Sequence, residues 1–358
     1  MTPTVARRLR RFAMTVVFLA AMLAAADAAL EAWLTHRVAQ PDFRFPVRSM
    51  AGYPEVLADA KADPRPKVLF VGDSIVQGSA LGGGKKTIVH GYYLRRAERE
   101  VDPPRIINLS VAGSSLTTAR LIVQAFGPTG ATDVYFFLNY RAFNRSGVQQ
   151  VYAPVLDVPA AASTWWDATD EWVAQRLRGF GLYRNRDWLT AAWWGTPADR
   201  GMARVFFMAA LVGWRDAYER EFVTEPESVW SDTDWNKPHL EKLLRDSFAV
   251  PRMTGGEPVF QEMRGLAGTA RWAGASFTLV VPPFNDTMVK RGSLVDAEVF
   301  RHNIDLVGAI VTAEGGRVLD CSDWQPSTVF SDSVHLTGAG NLALGRQLAD
   351  WEADEAGR

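Results

Sequence analysis

The amino-acid sequence predicts an α/β domain in which helices cover both faces of a five-stranded parallel sheet. Five short apolar runs show no alternation of polar and apolar residues, which is typical of strands covered on both faces. Helix-like stretches lie between most of these runs, an order that favours parallel strands. The composition agrees, because 47% of the 358 residues are hydrophobic and 22% are charged, as in most globular proteins.

The predicted elements follow one another in a regular order. The strands are KVLFV, RIINLS, DVYFFLN, SFTLVVPP and GRVLDCS, at residues 67–71, 105–110, 133–139, 276–283 and 316–322. The predicted helices span residues 87–100, 116–124, 295–313 and 340–355. This pattern of a strand followed by a helix is typical of a layered domain with its sheet in the middle.

The interval between the third and fourth strands breaks this order. Residues 145–274 contain helical patterns but no convincing buried strand, and most of the 13 tryptophans fall there. We interpret the interval as a helical, Trp-rich insertion that forms a cap or side subdomain. The main domain would then consist of residues 67–144 and 275–358.

The amino terminus has the order of an export signal or a membrane anchor. Arginines at positions 7, 8, 10 and 11 precede an apolar run from Phe12 to Ala26, an order typical of export. The run is short for a spanning helix, and the small residues up to Ala29 offer a cleavage site. Cleaved and uncleaved fates both stay open, and a buried amphipathic helix is the alternative. We expect residues 1–36 to form this segment, residues 37–66 a linker, and the rest to be extracytoplasmic, either secreted or held at the membrane.

Charge and cysteine content exclude several classes of protein. The net charge of -1 gives no electrostatic reason to expect a nucleic-acid partner. Cys321 is the single cysteine, which excludes an intramolecular disulfide and a cysteine-rich metal site. The histidines lack the spacing of a metal site, so we expect no metal and no organic cofactor.

Polar residues follow several of the predicted strands. The carboxyl ends of parallel strands share one edge of the sheet, and ligands bind there. Ser74 follows the first strand, Gly113 the second, Asn139 the third, and Asp332 and His335 the fifth. The edge should therefore gather a hydroxyl, a backbone N–H, an amide, a carboxylate and an imidazole, which are the groups that acyl transfer requires.

The chemistry of these groups suggests their roles. A serine becomes a nucleophile when a base removes its proton, so His335 is the candidate base for Ser74, and Asp332 orients the imidazole. The backbone N–H groups of Ser74 and Gly113, with the side chain of Asn139, are candidate donors to the oxyanion. Each assignment has a structural alternative, because Ser74 could cap a short helix and the Asp–His pair could cap the last one.

These motifs resemble those of the SGNH, or GDSL-type, hydrolases. The resemblance rests on GDS at residues 72–74, on Gly113, and on the Asp332-x-x-His335 spacing, and it covers roughly residues 67–144 and 276–350. It implies a flavodoxin-like three-layer α/β/α fold and a Ser–His–Asp mechanism. The activities that it implies are those of an esterase, a lipase or an O-acyl-esterase.

The third motif departs from the family pattern. That motif usually reads Gly-x-Asn-Asp, whereas the third strand here runs into LNYRAFN at residues 138–144. Either Asn139 supplies the amide from a shifted position, or Arg141 occupies the position of the family's Asn and contacts the substrate. Asn285, after the fourth strand, is a further candidate for substrate contact.

Taken together, these patterns predict an extracytoplasmic serine hydrolase that cleaves an acyl ester or an O-acylated carbohydrate. The chain resembles extracytoplasmic relatives that work on cell-envelope polymers in having an amino-terminal anchor, and that resemblance implies acyl transfer to a polymer. An O-acyltransferase that modifies an envelope polysaccharide is therefore the alternative. A non-catalytic scaffold that binds a polymer is a third hypothesis, motivated by the altered third motif and the insertion.

Overall fold

A computed structural model of the chain describes the sheet, most of the helices around it and part of the amino-terminal segment. The described residues are 14–15, 17–19, 21–29, 43–44, 53–77, 86–100, 103–111, 114–143, 248–285, 295–325, 327–332 and 334–356. The predicted insertion, apart from residues 248–274, lies outside them, and so does Gly113.

Six parallel strands form one sheet. They are β1 (Phe43–Arg44), β2 (Lys67–Val71), β3 (Arg105–Asn108), β4 (Ala131–Phe137), β5 (Ser276–Val281) and β7 (Arg317–Asp320). Their order across the sheet is β1-β3-β2-β4-β5-β7, and every neighbouring pair is parallel. A separate parallel pair is formed by β6 (Phe284–Asn285) and β8 (Trp324–Gln325). Five strands of the large sheet are those predicted, and β1 adds a two-residue edge.

Helices flank this sheet. They are α1 (Tyr53–Ala62), α2 (Ser74–Gln77), α3 (Ile88–Arg99), α4 (Leu116–Phe126), α5 (Pro258–Trp272), α6 (Ala297–Ala313) and α7 (Gly338–Ala356). Helix α3 packs against α7, and α5 packs against both α4 and α6 in a second group. The sheet lies between the two groups of helices, and its strands β2 and β3 are buried along their whole length. The predicted three-layer α/β/α fold is confirmed, and its five predicted strands have the order 2-1-3-4-5 of flavodoxin-like folds.

Helix α1 occupies the second half of the segment predicted as a linker. Pro54 lies in its first turn, where a helix tolerates proline because the missing N–H would be unpaired anyway. Val56 and Ala60, four residues apart on one face, are buried in the core. The expectation of a linker over residues 37–66 is therefore wrong for residues 53–62.

Helix α5 lies within the range predicted as the insertion, yet it belongs to one of the helical layers. Phe260, Met263, Leu266 and Ala267 recur at helical spacing and are buried, and this face packs against α4, α6 and β5. The sequence did not separate this helix from the preceding helical patterns, because all of them are amphipathic.

The amino-terminal segment is helical in its described residues, which are 14–15, 17–19 and 21–29. Its large apolar side chains are more than half exposed: Met14, Val17, Phe18, Leu19, Met22 and Leu23. No helix among the described residues combines the length and the apolarity needed to cross a lipid bilayer. The role of residues 1–36 in export or anchoring stays a prediction.

Glycines bring α3 and α7 into close contact. A Cβ added at Gly345 would lie 2.0 Å from the carbonyl oxygen of Ile88 and 2.6 Å from the nitrogen of Tyr92. One added at Gly91 would lie 2.3 Å from the carbonyl oxygen of Leu342. No side chain fits at these distances, so the two backbones can approach only because both positions are glycine.

We expect Gly345→Ala to lower the free energy of unfolding by about 1–3 kcal/mol, because α3 must move away from α7. Urea denaturation measures the difference. Gly268→Ala is the matched control, since a Cβ at that position of α5 meets no atom within 4 Å and alanine is favoured over glycine in a helix. Equal effects of the two substitutions would contradict the close contact as the cause.

Candidate active site

Ser74 lies at the carboxyl edge of the sheet, where it begins α2 directly after β2. Asp73 Oδ1 accepts a hydrogen bond from the Ile75 backbone N–H at 3.0 Å and so caps the start of α2. A Cβ at Gly72 would lie 2.9 Å from Cγ2 of Val76, so any larger residue would displace the buried Val76 side chain. The Gly and Asp of the GDS motif thus hold the turn that presents the serine hydroxyl.

Asp332 and His335 lie in the loop between β8 and α7, which is folded back on itself. Asp332 Oδ1 accepts hydrogen bonds from the backbone N–H groups of Val334 and His335, both at 2.8 Å. The backbone N–H of Ser331 donates to the carbonyl oxygen of His335 at 2.8 Å. None of these bonds uses the imidazole ring of His335. The ring nitrogens therefore remain available for contacts with other side chains.

The three predicted catalytic side chains meet at this edge. His335 Nε2 lies 2.9 Å from Ser74 Oγ, and His335 Nδ1 lies 2.7 Å from Asp332 Oδ2. In a neutral imidazole, the nitrogen facing a carboxylate carries the proton. Nε2 is then left as the acceptor for the serine hydroxyl, which is the arrangement that activates a serine in acyl transfer.

Asp332 is held in its charged form. Burial alone raises the pKa of this carboxyl, but hydrogen bonds from the His335 ring and from the N–H groups of Val334 and His335 outweigh burial. The pKa therefore lies below its ordinary value of 3.8. The carboxylate is ionised at neutral pH and can stabilise an imidazolium beside it.

Two of the predicted oxyanion donors are backbone N–H groups. That of Ser74 has no hydrogen-bond acceptor within the described part of the chain. The loop after β3 is tied to Gly72, whose carbonyl oxygen accepts from the Val111 N–H at 3.1 Å and from Ser114 Oγ at 2.8 Å. Gly113, the second predicted donor, falls between these two anchors in sequence but outside the described residues.

Asn139, the third predicted donor, is engaged with a neighbouring carboxylate. Its Nδ2 donates to Asp73 Oδ2, and its Oδ1 accepts from the Arg141 N–H at 3.0 Å. A charged acceptor attracts an amide N–H more strongly than a neutral one. The structure thus gives Asn139 a contact that joins the end of β4 to the turn after β2, while its contact with an oxyanion stays a prediction.

A small apolar cleft adjoins the predicted catalytic residues. Ile75 and Val334, the sequence neighbours of Ser74 and His335, line it together with Leu138, Tyr140, Phe248, Phe284, Phe300 and Phe330. Its volume is about 20 Å³, which is room for about one small group. No local sequence pattern predicts this wall, because its aromatic side chains come from β6, from α6 and from separate loops.

The two predicted substrate contacts lie at this cleft. Asn285 lines it and is buried, and the guanidinium carbon of Arg141 lies 5.8 Å from the ring centroid of Phe248. Within the described residues, no three side chains of His, Cys, Asp or Glu are grouped so that they could ligate a metal ion.

Comparisons with known proteins give limited similarity. No family model matches the chain, and the comparison with curated proteins finds no relative. Among solved structures, the chain is similar to Est24, a carbohydrate acetylesterase from Sinorhizobium meliloti, with a TM-score of 0.36 and 12% identity over 81% of this chain and 99% of that one. It is also similar to LAE5, an alpha/beta hydrolase enzyme from the metagenome of Lake Arreo, Spain, with a TM-score of 0.34 and 12% identity over 79% and 91%. With TM-scores and identities this low, neither similarity assigns a function to the chain. A functional assignment must therefore rest on the geometry of the site.

Proposed function

We propose that this chain is a serine esterase of the SGNH type, which cleaves an ester through an acyl-enzyme on Ser74. The observation that supports the proposal is the pair of contacts made by His335, at 2.9 Å to Ser74 Oγ and at 2.7 Å to Asp332 Oδ2. A helix cap would account for the backbone hydrogen bonds of Asp332. It gives no reason for an imidazole to connect that carboxylate with a hydroxyl 261 positions away in sequence.

The first half-reaction follows from this geometry. As Ser74 Oγ attacks the ester carbonyl carbon, its proton passes to His335 Nε2, and Asp332 stabilises the imidazolium that forms. The carbonyl oxygen becomes an oxyanion, to which the Ser74 backbone N–H can donate. When the tetrahedral intermediate collapses, Nε2 returns the proton to the leaving oxygen, so that a neutral alcohol departs and the acyl group remains on Oγ.

The second half-reaction repeats these steps with water as the nucleophile. His335 Nε2 takes a proton from water, the hydroxide attacks the acyl-enzyme, and the proton returns to Ser74 Oγ as the acid is released. Acyl transfer to a sugar hydroxyl would share the first half-reaction. No contact among the described residues selects a sugar over water, so hydrolysis is the reaction proposed.

A fluorophosphonate probe tests the proposal, because it reacts with a serine whose proton a neighbouring base removes. We expect the wild-type protein to be labelled and Ser74→Ala to be unlabelled, with intact-protein mass spectrometry as the readout. Ser276→Ala is the control, since Ser276 is exposed at the amino end of β5, and it should be labelled like the wild type. A folded wild-type protein that takes up no label would support the scaffold hypothesis instead.

A further inference from the structure

Arg141 holds a charged group at the rim of the cleft. It lies in the 3-10 turn Tyr140–Phe143 that follows β4, and its side chain is half-buried. Its guanidinium carbon is 5.8 Å from the ring centroid of Phe248, and both Phe248 and Tyr140 line the cleft. The Arg141 backbone N–H donates to Asn139 Oδ1, which ties this turn to the end of β4.

This guanidinium has no acidic partner within the described part of the chain. Most other arginines there form ion pairs, for example Arg105 with Asp63 at 2.9 Å. The two carboxylates of the site are already engaged, since Asp73 accepts from Asn139 and Asp332 accepts from His335. A guanidinium carries a positive charge, and among the described residues no carboxylate compensates this half-buried one beside the cleft.

The chemistry of the guanidinium indicates which groups would neutralise its positive charge. Its planar fork of N–H donors matches the two oxygens of a carboxylate or the oxygens of a phosphate, and such charge-assisted pairs are stronger than neutral hydrogen bonds. The guanidinium carbon lies 5.8 Å from the Phe248 ring centroid, and the guanidinium N–H groups have no hydrogen-bond acceptor among the described residues.

The size of the cleft determines whether the acyl part or the alcohol part of an ester would lie near the Arg141 guanidinium. Its volume of about 20 Å³ and its apolar lining suit a short acyl group and exclude a bulky alcohol. The alcohol part therefore lies outside the cleft, on the side where Arg141 contacts Phe248 of the cleft wall.

We propose that Arg141 binds an anionic group on the alcohol part of the substrate, so that the enzyme prefers short-chain esters of anionic alcohols. The inference rests on the function proposed above. It adds a substrate class that neither the catalytic residues nor the cleft alone would specify.

Two acetyl esters of nearly equal shape test this inference. They are 4-acetoxybenzoate, which carries a carboxylate on its alcohol part, and its neutral methyl ester. We expect the wild-type protein to have the higher kcat/KM for the anionic ester. Arg141→Gln should lose about 10- to 100-fold on that ester, mainly through KM, as expected for a hydrogen bond to a charged group. Its loss of kcat/KM on the neutral ester should be much smaller, so that the ratio of kcat/KM between the two esters falls.

Two further variants separate the local contact from net charge. Arg141→Lys keeps the charge without the planar fork, so it should restore part of the preference. Arg252→Gln removes an exposed arginine that also has no ion pair among the described residues, and it should keep the wild-type preference.

The outcomes distinguish this inference from the function on which it rests. An unchanged ratio between the two esters in Arg141→Gln, or an equal loss on both, would overturn the anion contact while Ser74 is still labelled by the fluorophosphonate. A wild-type protein that is unlabelled and turns over neither ester would overturn the proposed function, and the anion contact with it.

Discussion

Replacing His335 with alanine is expected to lower kcat/KM for an activated acetyl ester by about 10⁴- to 10⁶-fold while the protein stays folded. The imidazole is the group within hydrogen-bond distance of Ser74 Oγ that can accept its proton, so without it the hydroxyl is a weak nucleophile. Initial rates with a nitrophenyl acetate, measured together with the thermal unfolding midpoint, separate lost chemistry from lost structure.

The same experiment has an internal test, because the two side chains act as a unit. The double variant Ser74→Ala, His335→Ala should be no slower than either single variant. His302→Ala is the control, since His302 lies on α6 and contacts the carbonyl oxygen of Met253 through its ring. Near-normal turnover by His335→Ala would show that another group is the base.

The sheet and the contacts of His335 with Ser74 and Asp332 were predictable because each depends on a rule that acts along the sequence. Runs such as residues 67–71 are apolar at every position, and a strand must be buried on both faces to permit that. The carboxyl ends of such strands share one edge, so Ser74 and His335 could be placed together from their order alone.

Other features of the site depend on contacts that no local pattern reports. Asn139 and Asp73 are 66 positions apart, and either residue, considered alone, suits a turn. The ring of Phe248 contacts Arg141, although Phe248 lies within the interval predicted as an insertion. Helix α5 was assigned to that insertion for a related reason, since amphipathicity shows that a helix packs but not what it packs against.

Asp332→Asn is expected to lower kcat/KM by about 10⁴-fold, although it changes one atom. In the wild type, Oδ1 accepts the N–H groups of Val334 and His335, and Oδ2 faces the imidazole. The asparagine keeps one oxygen, and the two backbone N–H groups hold it in the Oδ1 position. Its NH₂ then faces His335 Nδ1, which must accept, so the ring proton moves to Nε2 and the nitrogen beside Ser74 can no longer take a proton.

The same substitution should change how stability depends on pH. The pKa of Asp332 in the folded protein lies below 3.8, so its carboxylate contributes stability that is fully present above the ordinary pKa. That contribution is lost as the pH falls through the folded pKa. The unfolding free energies of wild type and Asp332→Asn, measured by urea denaturation, should therefore differ at pH 6 and converge as the pH falls below 3.8. Asp305→Asn, at an exposed position of α6, is the control for the substitution itself. A difference between wild type and Asp332→Asn that stays constant as the pH falls below 3.8 would show that another contact provides the stability.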